Sequence, residues 1–597
     1  MTLPSLELGA IGNCAASALV DPRGRIVWSC WPRFDGDPLF HALLGGGDAA
    51  AGDGSFGVEL VDCVRTEQHY EANTAVLRTR LFDSHGQSLE ITDFAPRFFS
   101  RGRMFRPLML VRRLRVLQGA PRVRIVLRPR FDWGAAVPRI TQGSHHIRYV
   151  GPDQVLRLTT TAPLTYVLQE EAFVLSQTTS LLLGPDETLS EGIEELAGTW
   201  ERETIDYWRQ WTRRLALPLQ WQDAVMRAAI TLKLCVFEDT GAIVAALTTS
   251  IPEAPGSQRN WDYRFCWLRD AFFVVRALNS LSEVGTMEDY LRWLTNAVAS
   301  AAGGHVQPLY GIGLERLLPE QVVPQLPGYR GHAPVRRGNQ AHEHFQHDVY
   351  GNIVLGAAQA FHDQRLLRPA GRAEFTLLEV VGEQAVRVHD QPDAGMWELR
   401  TRARVHTSSL LMCWAACDRL AKIAAHLRLP DRHAHWQAHA TRMRERLLAE
   451  AWNPRRQAFA ESLGGEHLDA SVLLMAEVGC IDARDPRFVA TVDALEASLA
   501  DGPFMRRYEA ADDFGTPEVG FNVCSFWRID ALARIGRKEQ AREIFEAMLA
   551  ARNPLGLLSE DTHPQTRELW GNFPQTYSMV GLINGAVRLS APWDTVV

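Results

Sequence analysis

Two hydrophobic periods divide the chain. From the start to about residue 185, short β-forming runs are cut by turn signals: residues 16–20, then Asp21-Pro22-Arg23-Gly24, then residues 25–29. Similar runs follow at 56–60, 75–81, 88–91, 108–117, 123–127, 155–160 and 180–183. Many alternate apolar with Arg, as in Leu114-Arg115-Val116 and Val123-Arg124-Ile125-Val126. A period of two with one wet face predicts an N-terminal antiparallel β-sandwich, which we assign to residues 1–188.

The period changes near Ser190. Residues 190–215 are charged and helical in period, with Trp200, Trp208 and Trp211 spaced along them. This predicts a helical linker, residues 189–218, lying across the sandwich with its indoles used for packing. Beyond about 219 only the helical period is read. The candidate helices are 220–236, 269–281, 286–301, 348–363, 372–385, 407–427, 432–450, 467–478, 486–499, 520–536, 538–551 and 575–589. Some are apolar nearly all round, as in Ser409-Leu410-Leu411-Met412-Cys413-Trp414-Ala415-Ala416, and must be covered on both sides. Others, such as 432–450, carry a strongly polar face. This alternation predicts six inner helices ringed by six outer ones, a C-terminal (α/α)6 barrel over residues 219–597. The loops 241–268, 302–347, 386–406, 503–519 and 552–574 would then converge on one mouth. Loops of that length in a compact domain are usually functional, and these hold the clustered Trp, Tyr, Asp, Glu and Arg.

A length of 597 residues exceeds one ordinary core and agrees with several domains. The net charge of −7, without a long Lys/Arg run, argues against nucleic acid or an anionic membrane as partner. No run of about 18 apolar residues is present to span a membrane. The segment 1–9 lacks a basic region and an apolar stretch, so no signal peptide is read there. Nine scattered cysteines without a CxxC pair fit reduced thiols and a cytoplasmic location. Cys413 and Cys417 are expected as small buried hydrophobes. Assembly into a homo-oligomer is left open.

The sequence holds no phosphate loop, dinucleotide fingerprint, HExxH or GxSxG elbow. Gly45-Gly46-Gly47 reads as a flexible turn. In His342-Glu343-His344-Phe345-Gln346-His347-Asp348, His344 and Asp348 could share a helix face, but no second ligand cluster accompanies them. Loop-to-helix polar contacts are expected there, and no metal. Carboxylates remain. Glu398 follows Trp397 in Gly395-Met396-Trp397-Glu398-Leu399-Arg400, and a carboxyl against an indole loses solvation, which raises its pKa toward general-acid use. The alternative is a Glu398–Arg400 surface pair. Glu560 follows the apolar run of Gly556-Leu557-Leu558-Ser559-Glu560-Asp561 and could serve as base; its alternative is a helix-terminal cap. Two carboxylates from different loops of one mouth are what glycoside hydrolysis requires. The stretch from Arg259 to Asp270 sets four aromatic rings beside three arginines and two acids, just before an apolar helix. Rings that stack on a sugar face and charges that bind hydroxyls make a sugar pocket. A helix N-terminus with core aromatics is the equal alternative.

These motifs, with Ile11-Gly12-Asn13, Trp28, Phe34-Asp35, Asp348-Val349-Tyr350-Gly351 and Gly571-Asn572-Phe573-Pro574-Gln575, resemble glycoside hydrolase family 15, the family of glucoamylases and bacterial trehalases, over nearly the whole chain. The resemblance implies the same sandwich, linker and barrel, and inversion with no metal or organic cofactor. It implies that Glu398 is the general acid and Glu560 the general base. Arg269 and Asp270 would grip the hydroxyls of the non-reducing glucose, Tyr263 and Trp267 would line that subsite, and Trp397 would flank the acid. It also implies an exo-acting enzyme that releases β-glucose from non-reducing α-glucosyl units of a small oligosaccharide. Trehalose is preferred, because neither a signal peptide nor a starch-binding appendage is visible. Maltooligosaccharides are the alternative, followed by a phosphorylase or a catalytically silent sugar-binding homologue. The chain departs from the family pattern at Asp561, where many members carry Gln, and at His344 and His347. Arg400, Arg506 and Arg507 compete for a further subsite arginine.

Overall fold

The alternating runs pair into two antiparallel sheets. The computed structural model describes residues 4–46, 54–301 and 305–596, so Gly47 of the expected glycine turn and residues 302–304 of the 302–347 loop lie outside the described residues. One sheet runs in the order 9–12, 17–20, 26–31, 55–60, 122–128, 173–174, with 37–40 paired to 26–31. The other runs 139–142, 146–150, 155–160, 179–185, 110–118, 88–94, 77–83, 63–70. Side chains two apart on both sheets meet in one core: Ile26, Phe56, Val58 and Ile125 against Leu89, Ile91, Leu156, Leu158, Leu181 and Leu183. The strands at 63–70 and 139–150 have no counterpart in the sequence reading. The strands 63–70 and 139–142 form the two edges of the second sheet, where most side chains face water and carry no apolar run, and 146–150 lies one strand in with only Ile147 and Tyr149 buried.

Behind the second sheet, residues of the opposite face of the same strands, Phe94, Val111 and Leu182, meet helix α2 (Ile193–Thr212) through Leu196, Ala197 and Trp200. A shorter helix, α1 (Leu164–Gln169), precedes it. Trp208 and Trp211 of α2 join the core of the helical region instead, so one amphipathic helix is glued to both.

That region is built of α3 (Gln222–Leu234), α4 (Leu268–Ser280), α5 (Gly285–Ser300), α6 (Asp348–Ala358), α7 (Arg372–Val388), α8 (Thr407–His426), α9 (Pro430–Glu450), α10 (Leu474–Glu477), α11 (Pro486–Leu499), α12 (Asn522–Arg534), α13 (Lys538–Ala550) and α14 (Thr576–Leu589). Contacts run from α4 to α6, α8, the 470–477 segment, α12, α14 and back to α4, closing an inner ring. Helices α5, α7, α9, α11, α13 and α3 lie outside it, which is the (α/α)6 barrel. Inner α8 is buried without interruption from Thr407 to Cys417, whereas outer α9 buries only Trp436, Ala440, Met443 and Leu447. The expected helix at 467–478 is a 3-10 turn, Ala470–Leu473, running into α10. The Asp469 carboxylate accepts from the Ser471 N–H and fixes that tight start.

The helical region is not purely helical. Two-residue strands at 266–267 and 309–310 pair, as do 520–521, 561–562 and 569–570. Runs so short leave no period to read in a sequence, yet they brace the loops around the mouth. The sandwich also reaches the mouth: the Arg264 guanidinium grips Asp262 at 2.7 and 2.8 Å and donates to the Gly36 carbonyl at 2.6 Å.

Candidate active site

All five long loops meet at one cavity open to solvent. Its wall takes Trp261 and Tyr263 from the first loop and Asn339 and His344 from the second. Trp397, Glu398 and Arg400 come from the third, Arg507 and Phe514 from the fourth, and Glu560 from the fifth. Trp267, Arg269 and Asp270 enter where the first loop becomes α4.

Glu398 stands on a tight turn. The backbone of Asp393 and Arg404 pair at its base, and the Glu398 N–H donates to the Gly395 carbonyl at 3.2 Å. Its φ of +62° is left-handed, which a non-glycine residue adopts only when its surroundings hold it there. Gly395 (φ +66°) supports the turn, since a Cβ there would lie 2.8 Å from the His406 ring. The Glu398 Oε1 accepts from the Trp267 indole N–H at 2.6 Å and lies 3.5 Å from the Arg269 guanidinium, with 24% of the side chain exposed. The indole that meets this carboxyl is therefore not that of its neighbour Trp397, and it donates a hydrogen bond as well as excluding water. Trp397 donates its own N–H to the Asp469 carboxylate at 2.7 Å and packs among Tyr508, Phe521 and Trp527. Nor does Arg400 pair with Glu398: it binds Glu320 at 2.8 and 3.2 Å and lies over the Trp261 ring.

Glu560 is 1% exposed and caps no helix; it precedes the two-residue strand Asp561–Thr562. Its Oε1 accepts from the Tyr263 hydroxyl at 2.6 Å, while Oε2 makes no hydrogen bond among the described residues. Burial pushes this carboxyl up to about 7, opposed by Arg507 and the Tyr263 hydroxyl and reinforced by Asp270. The approach of Gly571 requires glycine, because a Cβ at its φ of +75° would stand 2.6 Å from the Glu560 Cβ.

Arg269 joins the acids of the pocket floor. It donates to Gln346 at 3.1 Å and to Asp348 at 3.3 Å and lies 3.7 Å from the Asp270 carboxylate. Burial pushes Asp270 up to about 6, with Arg269 opposing. Tyr263 and Trp267 meet edge to face at 5.4 Å. The cavity thus presents two carboxyls of unlike environment beside fixed donors and rings, an arrangement suited to acid–base chemistry on a sugar. Among the described residues no group of His, Cys, Asp and Glu could hold a metal ion. The His-rich run makes polar contacts instead, His342 bonding the Asn339 carbonyl and the His347 N–H the Asp393 carboxylate.

The family described as Glycosyl hydrolases family 15 matches residues 220–587, more than half of the chain. The chain belongs to that family. The Trehalase-like, N-terminal family matches residues 4–182. A trehalase of Thermoplasma volcanium is 30% identical, covering 97% of this chain and 93% of its own. A trehalase of Mycolicibacterium smegmatis is 30% identical, with 98% and 91% covered. Among solved structures, a bacterial glucoamylase complexed with acarbose superposes with a TM-score of 0.68 at 12% identity over 98% of this chain and 94% of its own, a likeness of fold. The chain is a glycoside hydrolase, and family membership agrees with the resemblance read from its motifs.

Of the residues expected at the site, Tyr263, Trp267, Arg269, Asp270, Trp397, Glu398 and Glu560 all line the one cavity. Of the three competing arginines, Arg507 is buried beside Glu253 with its charge acting on Glu560, and Arg400 sits at the rim. Arg506 turns away to the Ser498 carbonyl. The sequence reading missed Glu253, Asp469 and Tyr577. The last follows the Gly571–Gln575 motif by two residues, and its hydroxyl has no hydrogen-bond partner among the described residues.

Proposed function

We propose that this glycoside hydrolase cleaves α,α-trehalose by inversion. The observation that carries the chemistry is the meeting of Glu398 and Glu560 from different loops in one cavity. Glu398, reached by solvent and oriented by Trp267, protonates the glycosidic oxygen. Glu560, buried and held by Tyr263, takes a proton from the water that attacks the anomeric carbon from the opposite face. Arg269 and Asp270 hold the glucosyl hydroxyls, and Tyr263, Trp267 and Trp397 wall the subsite.

Two observations favour a disaccharide over a long glucan. The relatives at 30% identity are trehalases, whereas the glucoamylase of similar coverage is 12% identical. The mouth is also cross-linked: Arg400 binds Glu320 and, through its N–H, Asp513 at 2.7 Å, while Arg259 holds Asp512 through two bonds of 2.6 Å. Loops tied together over the entrance suit a short substrate. The same proposal assigns 1–188 to the sandwich, 189–218 to the linker and 219–597 to catalysis. A cytoplasmic location belongs to the proposal as well, supported by nine free cysteines; no helix among the described residues is long and apolar enough to cross a membrane. Initial rates of glucose release from trehalose and maltotriose test the substrate. Trehalose should be strongly preferred, and release from maltotriose alone would overturn the assignment.

A further inference from the structure

Glu560 poses a problem that its own contacts do not solve. Each turnover leaves a proton on it, and a sugar bound in the cavity covers the side from which solvent could remove that proton. Its side-chain partner, the Tyr263 hydroxyl, is a donor whose own proton is held well above the usual phenol range by burial and by the acids around it.

A second cavity lies beside the first. Its outer wall is the exposed chain at Gln258, Thr516 and Glu518, and its inner end is formed by Arg507 and Asp561, both buried. Asp561 does not line the sugar cavity. Its Oδ2 makes no hydrogen bond among the described residues, and neither does Oε2 of Glu560. Both atoms stand 2.9 Å from the point where a Cβ on Gly571 would sit, so the two free carboxyl oxygens face the same glycine, with no direct hydrogen bond between them.

We propose that Asp561 is the proton outlet of Glu560, linking the carboxyl that activates water to the solvent of the second cavity. The inference rests on the assignment of Glu560 as base. The water O–H bond breaks, its oxygen bonds to the anomeric carbon, and the proton enters the Glu560 carboxylate. The glycosidic bond breaks as its oxygen takes the Glu398 proton. Glu560 then gives its proton to the Asp561 side, Asp561 releases one to solvent in the second cavity, and solvent reprotonates Glu398. One water is consumed and no other reactant is needed. Asp561 acts through Glu560 and touches no sugar, so it is a positioning residue.

The charges around the pair suit this role. Burial and the neighbouring Glu560 hold Asp561 well above the usual carboxylate range, opposed by Arg507 and Arg259. Those arginines are paired with Glu253 and Asp512, and Asp270 and Tyr263 face Glu560 from the sugar side. The two cations thus stand beside the outlet.

Asp561→Asn keeps the side-chain outline and removes the exchangeable acid. With trehalose as substrate, kcat should fall on the order of 10²-fold while KM stays unchanged. In Asp561→Ala, added formate should occupy the vacated space and raise kcat saturably, by about tenfold or more. Wild-type kcat in Asp561→Asn, or no response of Asp561→Ala to formate, would overturn the outlet. Glu560→Gln separates the two assignments. If it is inactive while Asp561→Asn matches wild type, only the outlet is wrong; if Glu560→Gln is itself fully active, the base assignment fails and the outlet with it.

Discussion

If Glu560 is the base as proposed, Arg507 and then the Tyr263 hydroxyl hold its pKa down against burial, and removing the hydroxyl gives a prediction with a defined size. Glu560 is 1% exposed, and burial pushes it up to about 7 despite the donor 2.6 Å away. A hydrogen bond to a charged group contributes about 1.5–3 kcal/mol. One pKa unit corresponds to about 1.4 kcal/mol, so Tyr263→Phe should raise Glu560 by about one to two units. A general base works only when ionised, and its activity is lost as pH falls through its pKa. The acid limb of kcat/KM should therefore move upward from near 7 to between about 8 and 9. At about pH 6 this is a loss of roughly 10- to 100-fold relative to wild type, closing as the pH approaches 9. The Phe ring keeps the edge contact with Trp267, so the wall of the pocket remains. The assay is a pH–rate profile on trehalose at constant ionic strength. An acid limb that stays in place or moves downward would refute the reasoning.

Three other substitutions probe separate parts of the account. Glu398→Gln should lower kcat on trehalose by about 10²–10⁴-fold, with a much smaller loss on α-glucosyl fluoride, whose leaving group needs no proton; equal losses on both would remove the acid assignment. Gly571→Ala must adopt φ +75° and place a Cβ against Glu560, so it should lose about 1–2 kcal/mol for the backbone alone and lower kcat as well; thermal unfolding and kinetics at wild-type values would contradict this. Asp393, which holds the base of the Glu398 turn, is pushed by burial from 3.8 to about 7. Its folded pKa lies above the unfolded one, so its contribution is full below about 4 and is lost as pH rises through 7. Asp393→Asn should therefore gain about 2–3 kcal/mol relative to wild type between pH 5 and 8, measured by denaturant unfolding; a gap that does not change with pH would exclude that role.

Much of this architecture was written in periodicity. The all-apolar run of α8 and the one-sided run of α9 are what an inner and an outer helix require, and their burial follows those patterns. The pairing of strands inside the long loops was not legible, because two residues cannot show a period. The 3-10 start at Ala470 depends on a single Asp469 side chain and leaves no pattern either. At the site, the residues that would hold glucose lie within a few positions of one another, and a compact motif betrays them. The environment of each carboxyl comes instead from distant chain. Glu398 is met by Trp267, 131 residues away, and Glu560 by Tyr263, 297 residues away. The nearness of Trp397 in sequence therefore suggested the wrong indole. Arg506 and Arg507 could not be told apart before the local backbone turned one inward and the other to the Ser498 carbonyl.

The central claim is that Glu398 and Glu560 act as acid and base in a single displacement by water. Proton NMR of the glucose released in the first moments of trehalose hydrolysis tests it most directly. Inversion converts the attacked unit to β-glucose and releases the other as α-glucose, so the account predicts equal α and β signals before mutarotation. In ¹⁸O-labelled water the label should appear only in the β product. Initial release of α-glucose alone would mean retention, and with it a covalent or otherwise double-displacement route that contradicts the assignment of both carboxyls.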